Sequence, residues 1–224
     1  MRLAAEHLAK QLNLHFQAVS LFEQALTHRS AGSVNNERLE YLGDAVLGMV
    51  IAKRLYQRFP QASEGQLSRL RSLLVKRQTL AEIGAEIQLS KYLVMGAGEL
   101  RAGGQSRDST LADAVEALLG ATYLELGNDT VERLIDHLFL QRLQKLTLEL
   151  CEKDPKTRLQ EHLQSANLPL PEYEVLSVSG KQHQQCFSVT CRVKALRQEA
   201  LGSGMSRRKA EQDAARRLLQ ELEK

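Results

Sequence analysis

The spacing of apolar residues changes once along the chain, near residue 150, and this change limits the possible folds. In the first two thirds, apolar residues recur every three or four positions, as on amphipathic helices. A charged stretch that ends in a proline, 149–155, precedes a short helix, three alternating segments typical of strands, and a closing helix. We therefore predict an all-α domain at 1–146, a linker at 147–153 and a small α+β domain of order α-β-β-β-α at 154–224.

The formal charge is divided unevenly between these parts. The chain has 224 residues, 43% of them hydrophobic, which is enough to build a core in each of two domains. Residues 1–153 carry 18 basic and 18 acidic residues, whereas residues 154–224 carry 12 and 9. The whole excess of +3 thus lies in the C-terminal part, which favours an anionic partner there. Ordinary scatter of charges is the alternative.

The sequence predicts a soluble, cytoplasmic protein without a membrane span. Its longest apolar run, Ala45 to Ala52, is too short to cross a bilayer, and the first residues lack the apolar core of a secretory leader. Cys186 and Cys191 lie an odd number of residues apart in a strand-like segment and would face opposite sides of a sheet. This spacing argues against a disulfide or a zinc site shared by these two cysteines.

Two segments that read as buried helices, 36–52 and 109–124, carry clustered acids. Their spacings of three, four and seven residues place the acids of each segment on one helix face. Apart from Arg38, neither the cluster in the first segment nor the second segment contains a Lys or an Arg. The acids are Glu37, Glu40 and Asp44 in the first segment, and Asp113 and Glu116 in the second.

Repulsion between such acids is large enough to matter. Two carboxylates ~5 Å apart repel by roughly 3 kcal/mol at an effective dielectric of ~20, whereas a domain is stable by roughly 5–15 kcal/mol in total. The acids therefore point to water, or some remain protonated, or a cation joins them. An all-oxygen site suits Mg²⁺. The simpler alternative is that each pair borders solvent at a helix edge.

Other metal and phosphate motifs do not account for these acids. None of the six histidines has a Glu three residues before it, as a di-iron bundle would require. The G-K-[ST] of a phosphate-binding P-loop is also absent. His28 could touch a phosphate, but a lone histidine near a helix end is usually structural.

The C-terminal part contains a second electrostatic anomaly. Ser206 is a good helix N-cap, yet Arg207, Arg208 and Lys209 occupy the first turn, where the helix dipole favours acids. An anion bound at this helix start would explain the three bases. A solvated basic cluster is the alternative.

Three elements of the C-terminal part could face a nucleic acid together: the first helix, the tip of the first hairpin and the basic helix start. Such a surface could contact two minor grooves and the phosphates between them, which is how double-stranded RNA is bound by shape over ~16 base pairs. The candidate RNA-binding residues are Thr157, Gln160, Glu161, His183, Arg207, Arg208 and Lys209.

These segments together resemble bacterial ribonuclease III. "NERLEYLGDAVLG" is similar to the family's signature stretch, "LADAVEALLGATYL" to its second acidic motif, and "DPKTRLQE…H…SRRKAEQDAA" to its double-stranded-RNA-binding domain. The resemblance implies a homodimer that hydrolyses both strands of duplex RNA with Mg²⁺, for which Mn²⁺ can substitute. It implies 5′-phosphate and 3′-hydroxyl products, and substrates among ribosomal RNA precursors and structured messenger and transfer RNA.

The resemblance also assigns residue roles. It implies that Asp44 and Glu116 are catalytic, and that Glu37 and Glu64 are accessory acids for substrate or a second metal. For Glu64 a local alternative exists, because Ser63 and Gln66 around it form a helix capping box. Tyr41 stands where the family has Phe, at a place that packs across the dimer. The implied metal ligands are Glu40, Asp44, Asp113 and Glu116.

Two other function classes remain open at this point. One is a non-catalytic regulator that binds duplex RNA, against which the complete set of four acids speaks. The other is a metal-dependent phosphohydrolase of small nucleotides, against which the appended RNA-binding part speaks.

Overall fold

The computed structural model describes residues 2–16, 20–151, 154–180 and 185–222. The chain divides into two compact units, Met1–Cys151 and Glu152–Lys224. The first is helical and the second is built from two helices and three strands, which confirms the predicted fold class. None of the described helices is both long enough and apolar enough to cross a membrane.

The first unit is a bundle around two long helices, α3 and α7. Its helices are α1 (Arg2–Gln11), α2 (Ser20–Ala25), α3 (Glu37–Arg58), α4 (Glu64–Val75), α5 (Arg77–Glu86), α6 (Ala97–Arg101), α7 (Asp108–Leu126) and α8 (Asn128–Lys145). Helix α7 is central, because α2, α3, α5 and α8 all pack against it. After α8, Leu148–Cys151, within the predicted linker, form a short 3-10 helix that lies against α4.

Helices α3 and α7 approach each other through glycines. A β-carbon added at Gly43 would overlap the main-chain oxygen of Glu116, and one added at Gly120 would overlap that of Leu39. Only a residue without a side chain allows the two backbones to come this close. This contact places the acidic faces of α3 and α7 side by side.

The sequence predicts that helix α3 is buried on all sides, whereas in the structure one side of the helix is exposed. Tyr41 is 83% exposed, Met49 51% and Tyr56 73%, and Ala45 is exposed between them. These residues recur every four to seven positions and form one stripe along the helix. The sequence shows apolar residues on every side of α3, but only the packing shows that one side has no neighbour within the described part of this chain.

The second unit places two helices on one antiparallel sheet. Its elements are α9 (Pro155–Ser165), β1 (Glu172–Ser179), β2 (Cys186–Val193), β3 (Gln198–Gly204) and α10 (Arg207–Leu222), with strand order β1-β2-β3. Leu159, Val193 and Leu218 belong to its buried core. Cys191 is buried and Cys186 is exposed, so they face opposite sides as predicted, and both are free thiols.

Candidate active site and nucleic-acid interface

Acids from α3 and α7 converge on one cleft of about 440 Å³. One carboxylate oxygen from each of Glu40, Asp113 and Glu116 lies within 4.8 Å of the other two. Asp44, one turn after Glu40, lines the same cleft but is outside this group of three. The lining residues are Glu37, Glu40, Tyr41, Asp44, Arg77, Leu80, Ala112, Asp113 and Glu116.

The cleft makes three of the carboxyls hard to ionise. Burial, followed by the charges of Asp44, Glu40 and Asp113, raises the pKa of Glu116 to about 8. Burial also raises the pKa of Asp113, and burial together with the charges of Asp113 and Glu37 raises that of Glu40. Of the three outcomes expected from the sequence, protonation therefore applies to Glu116 at neutral pH when no cation is present, whereas Glu37 and Asp44 are exposed to water.

The same donors fit a small divalent cation. Mg²⁺ binds oxygen at about 2.1 Å, so two ligands on opposite sides of the ion stand about 4.2 Å apart. Three carboxylate oxygens within 4.8 Å of one another need only small side-chain movements to reach one ion. They would leave further coordination positions for water or phosphate, as Mg²⁺ usually requires.

The structure adds a cation to the acidic cleft, Arg77, which the sequence patterns did not single out. Arg77 is the first residue of α5 and lines the cleft beside the acids. Burial raises the pKa values of Glu40, Asp113 and Glu116, and the charge of Arg77 partly opposes this. A sequence signal existed: like the bases at the start of α10, Arg77 occupies a helix start that the dipole makes unfavourable for a cation.

A second cleft adjoins the first and shares Arg77 with it. Further bases lining it are His28, Arg29 and Arg107. His28 Nδ1 accepts a hydrogen bond from the main-chain N–H of Ser30 at 3.2 Å, which supports the structural role expected for this histidine. Its ring nevertheless lies beside the acidic site.

The two accessory acids lie in different places. Glu37 lines both clefts and forms an exposed ion pair with Arg29 at 3.5 Å. Glu64 lines neither cleft, and its carboxylate accepts a hydrogen bond from Ser68 at 2.7 Å. Around Glu64 the predicted capping box is present between Ser63 and Gln66.

The second unit brings part of the predicted RNA-binding set together. Thr157 and Gln160 of α9 and Arg208 of α10 line one cleft, while Glu161 and Lys209 are exposed on the same two helices. Arg207 instead pairs with Glu211 at 2.9 Å. His183 lies outside the described residues.

Each of the two units matches a known protein family. Residues 19–143 match the family model described as Ribonuclease-III-like, and residues 155–222 match the Double-stranded RNA binding motif. Ribonuclease 3 of Legionella pneumophila is 51% identical over the full length of both chains. The chain belongs to the ribonuclease III family. Ribonuclease 3 of Methylococcus capsulatus is 52% identical, over 97% of this chain and 94% of the relative.

Solved ribonuclease III structures share the fold of the first unit. The nuclease domain from Campylobacter jejuni superposes with a TM-score of 0.60 at 37% identity, covering 63% of this chain and 97% of that domain. A second structure of that domain, described by its flexibility in a region involved in dimer formation, gives a TM-score of 0.57 at 40% identity, covering 59% and 96%.

Family membership establishes the activity class. The chain is an endoribonuclease specific for double-stranded RNA, with a nuclease domain followed by an RNA-binding domain. The resemblance found in the sequence is confirmed, and nothing in the comparisons favours a non-catalytic regulator. Ribonuclease III enzymes depend on a metal ion, and the carboxylate cluster of this chain could hold one.

Proposed function

We propose that Glu40, Asp44, Asp113 and Glu116 form the catalytic site and that the ion they bind is Mg²⁺, with Mn²⁺ as a substitute. The observation that carries this proposal is the convergence of three carboxylate oxygens, from two helices, within 4.8 Å. When bound, the ion lowers the pKa of an attacking water and offsets charge on the scissile phosphate.

The four carboxyls would divide the remaining work. Glu40 and Asp113, whose pKa values burial raises, would hold the ion together with Glu116. Glu116, whose pKa is about 8 without a cation, would have to give up its proton to bind the ion. Asp44 lines the same cleft, and its carboxylate would orient the attacking water by accepting a hydrogen bond from it. Glu37, which lines both clefts, would assist the binding of substrate or of a second metal ion, as would Glu64.

We also propose that the enzyme works as a homodimer through the exposed stripe on α3. Tyr41, Ala45, Met49 and Tyr56 form an apolar surface without a neighbour in the described part of the chain. Burying such a stripe against a second copy is favourable. A two-fold pair of active sites would match the two antiparallel strands of duplex RNA, giving cleavage of both strands with 5′-phosphate and 3′-hydroxyl ends.

For the second unit we propose an RNA-binding surface made by α9 and the start of α10. Gln160, Arg208 and Lys209 are exposed there, and bases at a helix start suit phosphate oxygens. Thr157, Glu161, Arg207 and, on the first hairpin, His183 complete the proposed set. Ribosomal RNA precursors and structured messenger and transfer RNA, in the cytoplasm, are the proposed substrates.

A paired measurement tests the active-site assignment. In Glu116→Ala and Asp44→Ala, duplex affinity should stay within a few-fold of wild type, while single-turnover cleavage falls by orders of magnitude, because the loss affects the transition state. The control is Asp108→Ala, which removes an acid from the same helix about 12 Å away from Glu116. Near-normal cleavage by Glu116→Ala would refute the assignment.

A further inference from the structure

Glu211 joins the starts of the two helices of the RNA-binding unit. It lies one turn into α10 and is only 9% exposed. Its Oε2 accepts a hydrogen bond from Lys156 Nζ at 2.7 Å, and its Oε1 accepts one from Arg207 Nε at 2.9 Å. Lys156 belongs to the first turn of α9 and Arg207 begins α10. One carboxylate therefore holds both helix starts.

Further interactions fix the same junction. The main-chain N–H of Lys156 donates to Gln212 Oε1 at 3.1 Å, and Gln212 Nε2 donates to Asp154 Oδ1 at 2.8 Å. Asp154 is the N-cap of α9. The Lys156 ammonium also lies 4.3 Å from the ring centroid of Tyr173 on β1. The position of Lys156 is thus determined from three sides, with Glu211 supplying the negative charge.

The pairing divides the three bases at the start of α10 into two kinds. Arg207 is held by Glu211, whereas no ion pair involves Arg208 or Lys209 within the ranges that the structure describes. Burial opposes ionisation of Glu211, but the hydrogen bonds from Lys156 and Arg207 outweigh it and keep the pKa of this carboxyl below its usual range. Glu211 is therefore charged at neutral pH.

We propose that Glu211 is a positioning residue for duplex RNA: it fixes the start of α9 relative to the start of α10. Thr157 and Gln160 on one helix and Arg208 and Lys209 on the other then reach the same duplex in a set register. This inference rests on the proposed RNA-binding surface and adds to it a residue that does not itself touch RNA.

Electrostatics alone predicts the opposite effect of removing Glu211. Deleting an acid beside four bases raises the local positive charge, and duplex binding should then become tighter, above all at low salt. Positioning predicts weaker binding, because Lys156 and Arg207 no longer share an acceptor and the helix starts no longer keep their register. The sign of the change therefore separates the two effects.

The experiment measures binding of the full-length enzyme to a labelled RNA hairpin whose duplex is longer than ~16 base pairs, with a chelator present and over a series of KCl concentrations. Glu211→Ala should bind roughly tenfold more weakly, the scale expected when one partner of a coupled pair is removed. The slope of log K against log salt should shrink by about 1 for each phosphate that the variant no longer reaches. The matched control is Glu221→Ala, which makes the same charge change on the same helix about 15 Å away and should leave binding equal or slightly tighter.

Equal or tighter binding by folded Glu211→Ala overturns the proposal. If circular dichroism shows that this variant does not fold, Glu211→Gln decides, because it keeps one oxygen acceptor: an intermediate loss of affinity supports positioning, and unchanged binding refutes it. Arg208→Ala with Lys209→Ala tests the surface itself. If this double variant weakens binding while the Glu211 variants do not, the RNA-binding surface is supported and the positioning role of Glu211 is refuted.

Discussion

Gly43 on α3 packs directly against the main-chain oxygen of Glu116 on α7. Gly120 packs in the reciprocal way against the main-chain oxygen of Leu39. Because side chains at neighbouring positions of the same helices carry the carboxylates, this close approach sets the distances between Glu40, Asp113 and Glu116. The glycine pair therefore allows the spacing that brings these three carboxylates together.

Gly43→Ala should therefore damage both stability and metal binding. The added methyl group must push α3 away from α7, which costs about 1–3 kcal/mol in a tightly packed interior and separates the carboxylates. We expect a lower melting temperature and weaker Mg²⁺ binding. Gly98→Ala is the control, because a β-carbon there meets open space. If Gly43→Ala binds Mg²⁺ like wild type, the helix spacing does not control the site.

The metal-free enzyme should lose stability as the pH rises towards 9. Glu116 has a pKa of about 8 in the folded protein against about 4.5 in an unfolded chain, so between these values the folded state holds the extra proton. The stability of the folded state therefore falls with rising pH. The stabilisation that protonated Glu116 provides is fully present below its pKa in the unfolded chain, and it is lost as the pH rises through its pKa in the folded protein. Thermal unfolding with a chelator, from pH 6 to pH 9, measures the effect.

Glu116→Gln is the control for this pH dependence, because its amide does not titrate. The variant should gain stability relative to wild type as the pH increases. A constant difference in melting temperature across the range would mean that Glu116 ionises normally. Calorimetry in two buffers gives an independent check, since Mg²⁺ binding to wild type at pH 7 should release about one proton.

Arg77→Gln should strengthen Mg²⁺ binding in the absence of RNA. Arg77 lines the acidic cleft and repels an incoming cation, and an exposed charge at such a site is worth up to about 1 kcal/mol. We expect roughly threefold tighter binding by calorimetry, and a smaller gain at high salt because exposed charges are screened. Arg71→Gln, an exposed base outside both clefts, should have no effect. Unchanged affinity in Arg77→Gln would show that the arginine and the ion do not interact.

Met49→Glu should convert the proposed dimer to monomers. A charge in the middle of the exposed α3 stripe would be buried without a partner on association, which costs several kcal/mol. Sedimentation velocity should show a halved mass, and cleavage of duplex RNA should fall with it. Leu176→Glu makes the same kind of change on β1 of the other unit and should leave the mass unaltered. A dimeric Met49→Glu protein would place the interface elsewhere.

The sequence was sufficient to predict the helices, the strands and the clustered acids, but not the side chains that surround those acids. Helical spacing and strand alternation predicted both units, because these patterns report local geometry. The same spacing placed Glu40 with Asp44, and Asp113 with Glu116, on shared faces. Arg77 comes from another helix, and no local pattern states which helices become neighbours.

The exposure of Tyr41 shows the same limit. A helix that is apolar all round reads as buried, and the pattern cannot distinguish burial by its own chain from burial by a second copy. Arg207 is a further example: at the start of α10 it looked equivalent to Arg208, yet Glu211, one turn later, pairs with it. Interactions between side chains, not residue type, separate these two arginines.

Helix α3 is subject to two demands at adjacent positions. Glu40 and Asp44 line the cleft, Tyr41 belongs both to the cleft lining and to the exposed stripe, and Ala45, next to Asp44, lies on the stripe alone. A substitution that rotates α3 to improve the position of the acids also changes the position of the exposed stripe, and the reverse holds as well. Sequence change in this segment should therefore be slow and concerted, and a redesign of the proposed contact between two copies would also have to be a redesign of the proposed catalytic centre.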